Sequence, residues 1–284
     1  MRFNTEISPL DLALTLGCGQ TFRWDELERG SWTGVAGKYL VTLRGDSESV
    51  IIDTPSKDPN VVGMVRGYLR AGDDVTRIQR ALAKDPVLSR GMRQYEGLRI
   101  IKMDEWECLV SYALATYANI PRIKKMVRTL CTQFGAPIPG GAHAFPTIRR
   151  LGEASEKDLA RCGLGYRAKY VVQLCQSLSP NEMKSIGRLE YYDLRERLIE
   201  LPGVGNKVAD CVSLFGFGKL DSFPIDVWIE RALGRLYHVK GSYQKLSEFA
   251  HGRFGMYAGY AQEYLYFNER SAARDDACAF SEVG

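Results

Sequence analysis

A lysine and an aspartate in the last third of the chain are the residues whose types and positions could do chemistry. Lys207 follows the two-glycine segment LPGVG at 201–205, and Asp226 follows FPI at 223–225. Lys207 falls in the first turn of a predicted helix, where the macrodipole favours Asp or Glu over a cation. An uncharged lysine amine is a nucleophile that can form a Schiff base. The pair therefore indicates covalent catalysis, whereas Asp226 alone is equally typical of a helix N-cap.

The segment before Lys207 predicts a helix-hairpin-helix. One helix ends near Leu201, and the next begins at Asn206. Gly203 and Gly205 allow a sharp turn and the close approach of a ligand, while the free N–H groups of the second helix suit a phosphate. Such a hairpin would bind the DNA backbone without reading sequence, although an ordinary turn between two helices can look the same.

The helix predicted over 206–215 places Cys211 four residues after Lys207, and therefore on the same helix face. We expect these two side chains to share a site. Val208, Val212 and Phe215 are expected to point to the other side of the helix.

The elements that must position this pair fall into two parts. Residues 21–53 are aromatic, β-branched and punctuated by glycine, which predicts a small antiparallel sheet with tight turns at Gly37 and at Gly45-Asp46. After about Asp58, helical periodicity takes over. We therefore predict an α+β fold, with an N-terminal antiparallel β-sheet domain at 1–97 and a larger all-helical domain at 98–284.

Capping signals locate several of the helices. Asp104 is a predicted N-cap, and Ser155 with Asp158 forms a predicted capping box. Gly135 is expected just after the end of another helix. Further helices are predicted at 191–199, 206–215, 226–236 and 257–270. The helix after Asp104 is expected to bury Trp106, Leu109, Val110, Ala113 and Tyr117.

Composition is that of an ordinary soluble globular protein, with 284 residues, 45% of them hydrophobic, and a formal net charge of +4. The excess of basic residues permits a polyanionic partner without requiring one. No apolar run is long enough to span a bilayer, and the N-terminus does not resemble a signal peptide, so we expect a cytosolic protein without a membrane partner. The seven cysteines form no CxxC pair, which predicts reduced thiols and no metal site.

The motifs together resemble the helix-hairpin-helix DNA glycosylases (the HhH-GPD superfamily), in the branch of the 8-oxoguanine DNA glycosylase/AP lyases. LPGVGNKVADCVSLF with FPIDVWIERA is similar to the catalytic hairpin and the aspartate that follows it. GCGQTFRW (17–24) resembles the base-contacting loop, and NIPRIKKMVRTLC (119–131) resembles the opposite-strand segment. HAFPTI (143–148) and GLGYRAKYV (163–171) resemble the intercalating turn. YAGYAQEYLYF (257–267) resembles the C-terminal pocket helix.

This resemblance assigns the residues of the reaction centre. Lys207 matches the Schiff-base nucleophile, and Asp226 matches the aspartate whose charge stabilises the developing oxocarbenium character. The carbonyl of Gly19 matches the acceptor for the N7 hydrogen of the oxidised guanine. Cys211 and Tyr266 match the two faces that sandwich the flipped base, and Gln262 matches the side chain bonded to its Watson–Crick edge.

The resemblance also implies contacts with the DNA around the lesion. Gly203 and Gly205 belong to the hairpin, Tyr166 resembles the wedge beside the extruded nucleotide, and Arg122 and Arg167 resemble the pair that bonds the orphaned cytosine. Two positions depart from the eukaryotic members. Trp228 replaces a histidine that touches a phosphate, and Tyr117 replaces the asparagine that occupies the gap left by the base. Tyr117 could either fill this gap or be buried as the last residue of the apolar stripe.

No cofactor is implied. Endonuclease III relatives carry a four-cysteine iron–sulfur cluster near the C-terminus, but only Cys278 follows Cys211 in this chain. Neither a metal nor a redox group is needed for Schiff-base chemistry.

The sequence therefore predicts a bifunctional enzyme that excises 8-oxoguanine from double-stranded DNA, preferentially opposite cytosine, and then cleaves the strand. We expect a monomer, in the nucleoid-containing cytoplasm of a prokaryote or the nucleus of a eukaryote. A monofunctional alkylation-type glycosylase and a non-catalytic helix-hairpin-helix DNA-binding protein are the alternatives. Lys207 argues against both, since neither has a use for an amine at this position.

Overall fold

The N-terminal part is a five-stranded antiparallel sheet. The computed structural model describes residues 1–45 and 48–281, and the side chains of these residues as far as Arg270, so the side chain of Cys278 lies outside it. The strands are β1 (Arg2–Glu6), β2 (Trp24–Glu28), β3 (Ser31–Ala36), β4 (Tyr39–Gly45) and β5 (Ser49–Asp53). Their order in the sheet is β1-β5-β4-β3-β2. The predicted sheet is thus confirmed.

The sequence predicts a turn between two strands of the sheet but does not predict its first strand. Strand β1, with the sequence RFNTE, is not predicted, because its alternation is carried mainly by polar residues. It is recruited by pairing with β5, with Arg2 opposite Asp53. The first predicted tight turn lies between β3 and β4, where Gly37 adopts a φ of +58°. The second includes Asp46, which lies outside the described residues.

One face of the sheet packs on the helices that follow it. Trp24 is buried, and its indole N–H donates to the Tyr68 hydroxyl at 3.0 Å. Gly34 on the neighbouring strand makes room for this indole, since a Cβ there would lie 2.4 Å from Trp24 Cδ2. The sheet and the first helices therefore form one continuous apolar core.

Helices make up the rest of the molecule. The helices are α1 (Leu12–Leu16), α2 (Asn60–Tyr68), α3 (Val75–Leu82), α4 (Pro86–Met92), α5 (Glu105–Leu114), α6 (Ile120–Phe134), α7 (Ile148–Gly152), α8 (Glu156–Leu159), α9 (Arg167–Ser177), α10 (Pro180–Ile186), α11 (Tyr191–Ile199), α12 (Asn206–Phe215), α13 (Val227–Leu236), α14 (Tyr243–Phe254) and α15 (Ala258–Ser281). A short ribbon, β6 (Pro137–Ile138) with β7 (Ala142–His143), interrupts them. Within the described ranges, no helix has both the length and the apolar character needed to cross a bilayer. The boundary between 97 and 98 stays a prediction.

Most of the predicted capping signals are confirmed. The Asp104 carboxylate accepts hydrogen bonds from the backbone N–H groups of Trp106 and Glu107, and both bonds of the Ser155–Asp158 capping box are present. Gly135 does follow α6, but with an extended backbone rather than a left-handed one. It is needed for close approach instead, because a Cβ there would lie 2.0 Å from the Ala144 carbonyl oxygen.

The predicted burial of Tyr117 is wrong. Helix α5 ends at Leu114, three residues earlier, and Tyr117 adopts a left-handed φ of +51° in the turn that follows. This change of direction takes the side chain off the apolar stripe and leaves it 93% exposed. The other four members of the stripe are buried as predicted.

Candidate active site

The hairpin joins α11 to α12 through two glycines that have different reasons to be there. Gly203 has a φ of +76°, and a Cβ on it would lie 2.7 Å from Cγ of Tyr170. Gly205 precedes α12 as its N-cap with an extended backbone, and open space surrounds its α-carbon. Gly203 therefore makes the turn possible, whereas Gly205 leaves the start of α12 uncovered.

A buried carboxylate fixes the position of α12. Oδ1 of Asp210 accepts hydrogen bonds from the Tyr191 hydroxyl at 2.7 Å and from Nε of Arg195 at 3.1 Å. Its Oδ2 accepts from the Tyr243 hydroxyl, which in turn accepts the N–H of Ile225, the residue before Asp226. Asp210 thus ties α11, α12 and α14 to the loop that carries Asp226.

Lys207 and Asp226 line one cavity of about 410 Å³ between the two parts of the molecule. This volume lies within the usual range for small-molecule sites. The amine nitrogen of Lys207 lies over the ring of Tyr112, 5.2 Å from its centroid. The structure therefore brings the predicted catalytic pair together in one space.

Asp226 is both a helix cap and a wall of this cavity. Its Oδ1 accepts the backbone N–H groups of Trp228 and Ile229 at 3.0 and 2.9 Å, which caps α13. The two interpretations of Asp226 are thus compatible, because a single oxygen makes both capping bonds. The cap fixes the carboxylate in place at the cavity wall.

The loop around Gly19 is held by bonds from distant segments. The side-chain amide of Gln20 donates to the Arg99 carbonyl at 3.0 Å and accepts the Ile101 N–H at 2.9 Å. Gly19 has a φ of +106°, and a Cβ there would lie 2.7 Å from Cδ1 of Ile120. These contacts explain why glycine is required and how its backbone comes to line the cavity.

Helix α15 supplies the opposite wall. Gln262, which is buried, and Tyr266, which is partly buried, both line the cavity. Oε1 of Gln262 has no hydrogen-bond partner in the described structure. Arg270 donates to the Tyr266 hydroxyl at 3.3 Å and to the Cys18 carbonyl at 3.2 Å, so it fastens the helix to the Gly19 loop. The sequence patterns do not single out Arg270, although its spacing of four residues from Tyr266 is a usable signal.

The thiols of the site are not competing nucleophiles. Burial raises the pKa of Cys211 to about 12, against the opposing effect of the nearby Lys207 amine. Burial also raises the pKa of Cys18. Both thiols are therefore neutral at physiological pH, and the thiolate is the reactive form. Cys211 shares the cavity with Lys207, as predicted. In the part of the chain that the structure describes, no three His, Cys, Asp or Glu side chains converge to hold a metal.

Three aromatic side chains of this cavity are missed or misplaced by the sequence patterns. Phe215 is predicted to face away from Lys207, but it lines the cavity together with Phe22 and Tyr112. The rings of Tyr112 and Phe215 stack at 5.7 Å, and Phe22 meets Tyr112 edge-on at 5.4 Å. Phe215 lies a further four residues after Cys211, so the i, i+4 pattern extends one step further than expected.

A second group of predicted residues lies outside the cavity lining and is called here the aromatic–arginine cluster: Tyr117, Tyr166 and Arg167. The Tyr166 side chain is 54% exposed, and the guanidinium of Arg167 lies 4.5 Å from the centroid of its ring. Arg167 itself is only 2% exposed, and it donates to the carbonyls of Thr116 and Tyr117. Arg167 is therefore engaged with the backbone, whereas Arg122, near the start of α6, is exposed.

Trp228 completes the group of predicted residues. It lies in the first turn of α13, lines the cavity, and has the guanidinium of Arg231 at 5.3 Å from its ring. The structure thus places Trp228 at the edge of the site, beside Asp226.

Comparison with known proteins agrees with this architecture. Residues 2–109 match the model of the 8-oxoguanine DNA glycosylase N-terminal domain, and residues 110–253 match that of the HhH-GPD superfamily base excision DNA repair proteins. The chain is 31% identical to the N-glycosylase/DNA lyase OGG1 of Arabidopsis thaliana, over 96% of this chain and 81% of that protein. It is 30% identical to the N-glycosylase/DNA lyase of Saccharomyces cerevisiae, over 92% and 84%.

A solved structure supports the same relationship. The 8-oxoguanine glycosylase/lyase of Clostridium acetobutylicum, in complex with double-stranded DNA containing cytosine opposite 8-oxoguanine, superimposes with a TM-score of 0.89. It is 30% identical in sequence, over 96% of this chain and 98% of that one. With its sheet domain, its hairpin and its lysine–aspartate cavity, this chain belongs to the 8-oxoguanine DNA glycosylase/AP lyase branch of the HhH-GPD superfamily.

Proposed function

We propose that this protein is a bifunctional DNA glycosylase and AP lyase that excises 8-oxoguanine from duplex DNA. The observation that carries the proposal is the convergence of Lys207 and Asp226 with Gly19, Cys211, Gln262 and Tyr266 on one cavity. A target base must leave the duplex to reach such a cavity. The N-glycosylase/DNA lyase names of the curated relatives support the same activity.

The first step is base excision by the Lys207 amine. The nitrogen lone pair forms a bond to C1′ of the damaged nucleotide while the bond from C1′ to the base breaks, and the base takes the electron pair. Positive charge develops on the sugar, and the carboxylate of Asp226 at the cavity wall stabilises it. Because the amine is the nucleophile of the cavity, the product stays covalently attached.

The second step is strand cleavage. After the amine has lost its proton and the sugar ring has opened, the attachment is an imine, which acidifies the hydrogen on C2′. Loss of this proton and departure of the 3′ phosphate form a double bond, and water then releases Lys207. None of these steps needs a metal or a redox cofactor.

The wall residues would recognise the flipped base. Gly19, whose backbone is fixed by Gln20, would accept the N7 hydrogen that only the oxidised guanine carries. Cys211 is neutral and apolar enough to pack on one face of the base, with Tyr266 on the other. The unpartnered oxygen of Gln262 would accept from the Watson–Crick edge.

Duplex DNA is the proposed partner, with cytosine preferred opposite the lesion. Gly203 and Gly205 would hold the phosphate backbone, Tyr166 would fill the stack, and Trp228 would contact the DNA flank beside the site. Arg122 and Arg167 would donate to the orphaned cytosine. Because Nε and Nη2 of Arg167 already donate to the carbonyls of Thr116 and Tyr117, Nη1 would be its donor to the base. We propose that the enzyme acts as a monomer on the DNA of the nucleoid or nucleus, without a membrane partner.

Borohydride trapping tests this function directly. Incubating the protein with an 8-oxoguanine duplex and borohydride should give a covalent complex, and Lys207→Gln should abolish both the complex and strand nicking while damaged duplex is still bound. Lys245→Gln, at an exposed lysine of α14, is the matched control and should trap normally. A covalent complex formed by Lys207→Gln would refute the assignment of Lys207 as the nucleophile. Base excision without trapping in the unmodified protein would indicate the alkylation-type mechanism, and binding without excision would indicate a non-catalytic protein.

A further inference from the structure

Glu263 is a buried acid on the wall of the catalytic cavity that the mechanism does not use. The residue is 4% exposed and lines the same cavity as Lys207 and Asp226. Its Oε2 is buried and has no hydrogen-bond partner in the described part of the chain. A buried polar atom without a partner is costly, so such an atom in a binding cavity favours a ligand that bonds to it.

The neighbouring residue shows which ligand this is. Gln262 also presents an unpartnered side-chain oxygen in this cavity, and our proposed function assigns that oxygen to the flipped base. Two adjacent residues of α15 that line this cavity therefore each carry one buried side-chain oxygen without a partner in the described structure. A single ligand, the base, is expected to satisfy both.

The protonation state of Glu263 decides what it offers to that base. Burial, with a smaller contribution from the negative charge of Asp226, raises the pKa of Glu263 to about 8, while the Cys18 thiol opposes this shift. The carboxyl is therefore mostly neutral at pH 7. A neutral carboxyl is an O–H donor as well as an acceptor, unlike a carboxylate, which only accepts.

The other titratable and charged groups around Glu263 come from every wall of the cavity. They are Cys18 after α1, Tyr112 on α5, Lys207 and Cys211 on α12, Asp226 before α13, and Tyr266 with Arg270 on α15. The pKa values of Cys18, Tyr112, Cys211 and Tyr266 are all raised by burial. These four groups stay neutral in the pH range in which Glu263 titrates. The remaining titratable groups that line the cavity with Glu263 are Asp226, Arg270 and Lys207.

We propose that Glu263 is a specificity-determining residue of the base pocket, which donates a hydrogen bond from its neutral carboxyl to a carbonyl oxygen or ring nitrogen of the extruded base. This inference rests on the proposed function, since it needs a base in the cavity. The gap left by an abasic nucleotide offers no such acceptor, so Glu263 distinguishes a filled cavity from an empty one.

Binding to two duplexes separates this role from a structural one. One duplex carries 8-oxoguanine on a 2′-fluorinated sugar, which resists excision, and the other carries a tetrahydrofuran abasic analogue. At pH 7, Glu263→Ala should weaken binding to the first duplex about tenfold, the size of one lost hydrogen bond, and leave the second unchanged. Glu263→Gln, which retains a donor, should bind both duplexes nearly as the unmodified protein does.

The pH dependence provides a second readout. Between pH 6 and 9.5 the unmodified protein should lose its extra affinity for the base-containing duplex with a midpoint near 8, because Glu263 then becomes an anion beside Asp226. Glu263→Gln should lack this loss. Glu269→Gln is the matched control on the same helix, since Glu269 is paired with Arg235, and it should titrate like the unmodified protein.

Several outcomes would overturn the inference. The first is equal affinity of Glu263→Ala and the unmodified protein for the 8-oxoguanine duplex. The second is an equal loss of affinity of Glu263→Ala for both duplexes. The third is a loss of affinity at alkaline pH that persists in Glu263→Gln. Failure of the proposed function would look different, because the unmodified protein would then show no preference for the 8-oxoguanine duplex over an undamaged one.

Discussion

The catalytic cavity and the aromatic–arginine cluster differ in how far they are assembled in the absence of DNA. In the cavity, the Asp226 carboxylate is locked by two backbone bonds and α12 is anchored through Asp210. In the cluster, Tyr117 is almost fully exposed, and Arg167 is bonded to backbone carbonyls through Nε and Nη2 only. The cavity groups are therefore held by their own hydrogen bonds, whereas the exposed ring of Tyr117 in the cluster is not enclosed by its surroundings.

The difference follows from what each region would do. Electrostatic stabilisation of a developing charge works only when the groups are fixed before the reaction. Stacking on a base tolerates a mobile aromatic side chain, because every base has a π-face. We therefore expect substitutions in the cavity to act on rates and substitutions in the cluster to act on binding and on the choice of opposite base.

The largest effect is expected from Asp226→Asn, in the cavity. Asparagine is as good an N-cap as aspartate, so α13 should keep its cap while the charge is lost. Single-turnover excision should slow by about a hundredfold or more, with little change in thermal stability. Asp104→Asn, at the matched cap of α5 outside this cavity, should leave the rate unchanged. An unaltered rate in Asp226→Asn would reduce this residue to a helix cap.

Alanine substitutions at the two glycines of the hairpin should separate an effect on stability from an effect on DNA binding. Gly203→Ala should destabilise the protein by about 1–3 kcal/mol, because its φ of +76° is left-handed and the new Cβ would meet Tyr170. Gly205→Ala has room for its methyl group, so it should be nearly as stable as the unmodified protein but bind duplex DNA more weakly. Thermal unfolding and duplex affinity measured side by side would check both. Equal behaviour of the two variants would contradict the separate roles.

Arg122→Ala tests the readout of the opposite strand. Arg122 is exposed, so its removal should not affect folding, whereas Arg167→Ala would also remove a donor to the carbonyls of Thr116 and Tyr117. The preference for excision opposite cytosine should fall by about 1–3 kcal/mol in Arg122→Ala. Single-turnover rates with C, A, G and T opposite 8-oxoguanine would measure this. Equal rates opposite all four bases in the unmodified protein would refute the arginine assignment.

The smallest effect is expected from Tyr117→Ala. The side chain is exposed, so stability should be unchanged, and loss of one stacking contact should weaken binding of the lesion duplex by about 1 kcal/mol. Since a flat ring has no preference among bases, the opposite-base selectivity should be looser here than in asparagine-bearing relatives and should not be lost further in the variant. If Tyr117→Ala binds the lesion duplex as tightly as the unmodified protein, Tyr117 does not contact the DNA.

Signals that lie within a short stretch of chain are readable in the amino-acid sequence itself. The hairpin glycines, the Asp104 and Ser155 caps and the pairing of Lys207 with Cys211 on one helix face all depend on spacings of at most four residues. The resemblance to a family then assigns roles to distant residues such as Gly19 and Gln262. Strand β1 is not predicted, because it depends on pairing with β5, which lies more than 40 residues later in the chain.

Only the tertiary structure determines the contacts between segments that are far apart in sequence. Periodicity places Tyr117 in the core, but the chain turns after Leu114 and exposes it. Phe215 faces the cavity because α12 packs against α5, which carries Tyr112. The pKa of Glu263 rises to about 8 only because the packed walls bury it, with a smaller contribution from the charge of Asp226. The sequence by itself determined the local elements and the catalytic pair, whereas burial, desolvation and long-range hydrogen bonds arise from the packed fold, and no local pattern encodes them.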